Sequence, residues 1–157
     1  MEFLTNPLSL LILLSVASGL ALLAVPPEKD GALKGLALAA TLLIFFVSLK
    51  LYLGFDPALA AMQFQLNKAW LPSFGINYFL GIDGISLLMI MLTTLLMPVA
   101  VLASFNYIKE SRRGYYACLL FLEASMIGVF AALDLFAFYL FWEGMLIPMY
   151  FLIGIWG

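Results

Sequence analysis

Residues 115–156 read YYACLLFLEASMIGVFAALDLFAFYLFWEGMLIPMYFLIGIW, a block in which Glu123, Asp134 and Glu143 are the only charged side chains. A hydrocarbon core of about 30 Å is crossed by about 20 apolar residues in a helix, so the block is long enough for two spans. Asp134 is its natural break. It divides a fourth helix, Tyr115 to Leu133, from a fifth, Leu135 to about Trp156, through a very tight connection in which Asp134 serves as a helix cap.

Working outward, the basic connector Lys109-Glu110-Ser111-Arg112-Arg113-Gly114 precedes this block. Before it a third helix is expected from about Ile85 to Phe105, with Asp83 or Ser86 as its cap and Pro98 inside it. A first helix runs from about Phe3 to Val25 and stops at Pro26-Pro27, where ring closure removes donors and restricts the preceding residues. Its start, Met1-Glu2-Phe3, lacks the basic segment of a signal peptide, so it is expected to be retained. A second helix runs from near Ala32 to Leu53, ended by Gly54 and Asp56-Pro57.

Between helices two and three the periodicity changes. Met62, Phe64 and Leu66 alternate with Gln63, Gln65 and Asn67, and Phe74, Ile76, Tyr78 and Leu80 alternate with Ser73, Gly75, Asn77 and Phe79. Period two predicts a short hairpin around Trp70-Leu71-Pro72 at the membrane surface, with an amphipathic helix over Pro57 to Lys68 as the alternative. The fold class is therefore all-α membrane protein: about five transmembrane helices in one domain over residues 1–157, with an extracytoplasmic hairpin.

Composition agrees. Of 157 residues, 66% are hydrophobic and 10% charged, against the roughly 25% charged typical of soluble domains. No block of like charge suggests a nucleic-acid partner. Cys118 is single and His is absent, which removes the usual ligands of b-type haem and iron–sulfur clusters, so any redox centre is expected in a partner. Cys118, in an apolar run, is most simply a small buried or lipid-facing residue. Lysine and arginine collect in cytoplasmic loops. Lys29, Lys34, Lys109, Arg112 and Arg113 fall on one side, Lys50 and Lys68 on the other, which places the N-terminus outside the cytoplasm.

Two carboxylates fall deep in this topology. Glu143 is about 13 Å past Asp134 and Glu123 about 12 Å past Tyr115 at 1.5 Å per residue, both near the midplane. A charge there costs about 3 kcal/mol on insertion scales, so each should face protein or a water-filled cavity, and intramembrane carboxylates are functional by default. Each has a structural alternative, as a hydrogen-bonding tie between helices. Pro148 cannot donate to the carbonyl of Gly144, which loosens the helix beside Glu143. Pro98 does the same for Thr94, where the Thr93 and Thr94 hydroxyls are expected to help hydrate the opening.

The run Phe141-Trp142-Glu143-Gly144-Met145-Leu146-Ile147-Pro148-Met149-Tyr150 and its continuation to Gly157 resemble the fifth-helix signature of the subunit M family of bacterial NADH-quinone oxidoreductase, respiratory complex I. Leu71-Pro72-Ser73-Phe74-Gly75-Ile76 and Leu80-Gly81-Ile82-Asp83-Gly84-Ile85-Ser86-Leu87-Leu88-Met89 look like the same family. The resemblance implies an antiporter-like subunit that moves protons in the bacterial inner membrane. Quinone reduction, flavin, iron–sulfur clusters and NADH binding would then belong to partner subunits. It implies that Glu143 is the key glutamate, paired with a lysine on a later helix, that Glu123 occupies an often acidic fourth-helix position, and that the hairpin links neighbouring subunits. Family members have about fourteen helices, so this chain resembles an N-terminal portion, apparently truncated, which is not expected to pump alone. An Mrp-type cation/proton antiporter subunit and a structural membrane scaffold are the alternatives.

Overall fold

The computed structural model describes residues 5–157; Phe3, where the first helix was expected to start, lies outside them. Helix α1 spans Pro7–Ala24 and α2 spans Asp30–Gly54. Strand β1 (Gln63–Leu71) pairs antiparallel with β2 (Ile76–Ile82). Helices α3 (Gly84–Tyr107), α4 (Arg112–Ala131) and α5 (Leu135–Trp156) follow. Among the described residues these are five helices long and apolar enough to cross a membrane, and the chain is a multi-pass membrane protein.

Local chemistry fixes the element ends. Asn6 caps α1 by accepting from the amides of Leu8 and Ser9 at 3.0 and 3.2 Å, and Pro7 occupies the first turn, where its missing N–H costs nothing. Asp83 caps α3 by accepting from the Ser86 amide at 2.7 Å. Asp134 caps α5 by accepting from Phe136 and Ala137. Ser111 is in the left-handed region, with φ 47°, and gives α4 no side-chain cap.

The period-two segment forms the strands, and Pro57 to Lys68 is not a helix. The turn lies later than expected: β1 continues through Trp70 and Leu71, and a 3-10 turn at Pro72–Phe74 reverses the chain. Gly75 closes it with φ 67° and its N–H on the Pro72 carbonyl, a conformation that costs glycine little.

α4 is the central helix, packed most extensively on α1 and α5 and also against α3. Its deep face carries Tyr116, Leu120, Glu123, Ile127 and Ala131, all fully buried. α5 is peripheral. Within it only Ala137 and Pro148 are buried, because one face packs on α4 and the remainder is uncovered.

The bundle has two distinct ends. At one, Asp30 pairs with Arg112, and the Trp156 indole donates to the Glu110 carbonyl at 2.8 Å. At the other, the Asn6 amide donates to the Phe64 carbonyl at 2.8 Å, and the Leu133 N–H donates to the Phe79 carbonyl at 2.8 Å. Ala132 adds an isolated bridge to Leu80. Gly81 permits this closeness, since a Cβ there would stand 2.6 Å from Leu133 Cδ1. The five basic residues grouped in sequence lie toward the Asp30–Arg112 end, and Lys50 and Lys68 toward the hairpin end.

Candidate functional site

Helices α4 and α5 are antiparallel and joined through Ala132, Leu133 and Asp134, so positions equidistant from that turn share a depth. Glu123 precedes Ala131, and Glu143 follows Leu135, by the same number of residues, about 12 Å of helix in each case. Side-chain packing refines the alignment. Gly144 lies against the Ser125 hydroxyl and Gly128 against the Phe141 ring. This sets Glu143 level with the residue following Ser125, within about 5 Å along the axis of Glu123.

The two carboxyls lie within about one helical turn of each other in depth but differ in environment. Glu123 has no exposed surface, and neither of its oxygens has a hydrogen-bond partner among the described residues. A carboxyl in apolar surroundings without a cation is held most cheaply in its neutral form, and buried polar atoms normally find partners. Glu123 is therefore the costly group of the interior.

Glu143 is exposed, on the face of α5 turned away from α4, flanked by Leu140, Leu146, Ile147 and Tyr150. The expectation that it faces protein or water is not met by contacts within this chain. The physical reason is that α5 packs on one side only. Tyr139, one turn earlier, is exposed on α5 as well and lies within electrostatic reach of Glu143. Sequence inspection missed this tyrosine; its place four residues before the glutamate was the available signal.

The proline sites differ from expectation in one respect. The Thr93 hydroxyl donates to the Met89 carbonyl at 2.8 Å, and Thr94 donates to the Met91 carbonyl at 3.2 Å. Both hydroxyls thus turn back along the helix and do not serve the Thr94 carbonyl left open by Pro98. Thr94 also meets Ser48 of α2 at 2.8 Å between hydroxyl oxygens, a fully buried polar tie between α2 and α3 that sequence inspection did not identify. Pro148 is buried against α4 and Glu143 faces outward, so the loosened turn lies between the packed and uncovered faces of α5. Cys118 is half-buried, lining a groove between α1, α4 and α5. Among the described residues no cluster of three metal-ligating side chains occurs.

Known proteins share this arrangement of sequence. A family profile described as NADH-ubiquinone oxidoreductase chain 4, amino terminus, matches residues 32–129. NADH-quinone oxidoreductase subunit M of Rhodobacter capsulatus is 48% identical over 156 residues, covering 97% of this chain and 30% of that protein. NADH-ubiquinone oxidoreductase chain 4 of Arabidopsis thaliana is 41% identical over 150 residues, 96% of this chain and 30% of its own length. F(420)H(2) dehydrogenase subunit M of Methanosarcina mazei is 39% identical over 123 residues, 78% of this chain and 25% of that protein. The chain spans less than a third of the length of each of these relatives.

Proposed function

The chain belongs to the family of the amino-terminal part of NADH-ubiquinone oxidoreductase chain 4, and from that premise we propose that it forms part of a proton-translocating membrane-arm subunit of respiratory NADH-quinone oxidoreductase. The observation that carries this is the pair Glu123 and Glu143. Two carboxyls sit within about 5 Å of each other in depth on adjacent helices, one sealed inside the bundle and the other on a face left uncovered within this chain.

A proton carrier must exist in charged and neutral forms at one position. Glu143 meets that need when protein or water covers α5, because the energy of its charged form in the membrane depends on what stands opposite it. Glu123, whose oxygens have no hydrogen-bond partner among the described residues, is suited to remain neutral until water or a cation reaches it. On this proposal Glu143 is the exchangeable site and Glu123 a second station one turn away in depth.

Redox chemistry then lies in other subunits of the complex, with flavin, iron–sulfur clusters and the NADH site outside this chain. The relatives' names carry two electron donors, NADH and F(420)H(2), which supports a role independent of the donor. Orientation follows from charge: the Asp30–Arg112 end faces the cytoplasm of a bacterial inner membrane, and the hairpin and N-terminus face outward.

The test is Glu143→Gln in the assembled membrane complex. Proton uptake by inverted vesicles should be abolished while the subunit remains inserted; Glu123→Gln should reduce it. Pumping at the parental rate by Glu143→Gln would remove the switch role and leave the scaffold function.

A further inference from the structure

An apolar groove of about 480 Å³ lies between α1, α4 and α5. It runs from Leu23 to Ile12 on α1, from Gly114 to Ser125 on α4 and from Phe151 to Phe141 on α5. Each of these runs corresponds to about 15 Å of helix, half of a 30 Å hydrocarbon core.

The groove opens at one end onto a polar site. Leu23 and Gly114 also line a second cavity, together with Lys109, Arg112 and Arg113. Arg112 is held by Asp30 and by the Ile108 carbonyl. Lys109 and Arg113 make no ion pair among the described residues, so the mouth keeps two cationic groups for an outside partner. Trp156 lies beside it, with its indole donating to the Glu110 carbonyl, an aromatic placement that suits the headgroup level.

We propose that this continuous feature is a site for one anionic phospholipid, with its phosphodiester on Lys109 and Arg113 and an acyl chain in the α1–α4–α5 groove. Two observations select that occupant. A transmembrane helix would need a seat along the full membrane thickness, whereas this groove spans one leaflet. A zwitterionic lipid would leave the cationic mouth uncompensated, and basic pockets between helices recognise anionic headgroups. The site holds the otherwise thinly packed α5 against α1 and α4, and it is independent of whether Glu143 carries protons.

Photo-cross-linking tests the assignment in membranes containing the full chain. A phosphatidylglycerol bearing a diazirine on its acyl chain should label peptides within 12–23, 114–125 and 141–151. Unlabelled phosphatidylglycerol should compete, and phosphatidylethanolamine should not. The double variant Lys109→Gln and Arg113→Gln should weaken competition about 30-fold, the loss of two surface cations. Val16→Trp, which fills the groove without touching the mouth, should abolish labelling at unchanged charge. Equal competition by phosphatidylethanolamine, displacement by inorganic phosphate alone, or labelling spread evenly over α2 and α3 would overturn the proposal.

Discussion

Replacing Gly128 with alanine sets two effects of opposite sign against each other, and the geometry says which prevails. In water, Gly→Ala inside a helix stabilises by up to about 1 kcal/mol. At Gly128, however, the added Cβ would fall well inside van der Waals contact with the Phe141 ring. Relief to ordinary contact requires α4 and α5 to move apart, and overpacking of that kind costs about 1–3 kcal/mol. Gly128→Ala should therefore destabilise the bundle, with α5 loosening first. Denaturation of the purified chain in mixed micelles measures it. Phe141→Leu removes the obstructing ring, so Gly128→Ala should become neutral or favourable in that background, a coupling of at least about 1 kcal/mol. Gly35→Ala, with nothing within 4 Å of the new Cβ, is the control and should be neutral or stabilising. Additivity of Gly128→Ala and Phe141→Leu within about 0.5 kcal/mol would refute the steric explanation.

Ser48→Ala and Thr94→Val should show a coupling of about 0.6 kcal/mol, the usual worth of an interhelical hydroxyl bond in a membrane protein, in a double-mutant cycle. Asp134→Ala should cost about 1 kcal/mol and speed amide exchange at Phe136 and Ala137, and Asp134→Asn should spare both. The backbone N–H of Ser86 holds the Asp83 carboxyl below its ordinary value. Its stabilisation of the start of α3 is thus complete above the unfolded value near 3.9 and fades as pH falls through the lower folded value. Amide exchange at Ser86 should accelerate in that acid range, and Asp83→Asn should flatten the response.

Much of the fold was legible because a bilayer imposes a length and a polarity that local sequence must satisfy. Asp83 and Asp134 stand where apolar runs begin, and both cap as their position suggests. The hairpin's existence was visible in the alternation of Gln63 to Leu66. The place of its turn was not, because Trp70 and Leu71 suit either a strand or an interface loop, and Pro72 starts a 3-10 turn as readily as it ends a strand. Depth could be counted from the helix ends for both glutamates. Their facing could not, since α4 and α5 are apolar all round and an apolar neighbour says nothing of whether protein or lipid lies beyond it. Glu123 is sealed and Glu143 uncovered because α4 is central and α5 peripheral, a tertiary fact. The Ser48–Thr94 tie was hidden for the same reason: each is a lone hydroxyl in an apolar run.

The short linker after α4 does more than reverse the chain. Ala132 bridges Leu80 and Leu133 donates to Phe79, so the linker is grafted onto the β-ribbon as a rudimentary third strand. Its other end carries the cap of α5. A tilt of α5 about its capped end would load the Leu133–Phe79 bond. The capped end of α5 is thus tied to the ribbon through space as well as through the chain.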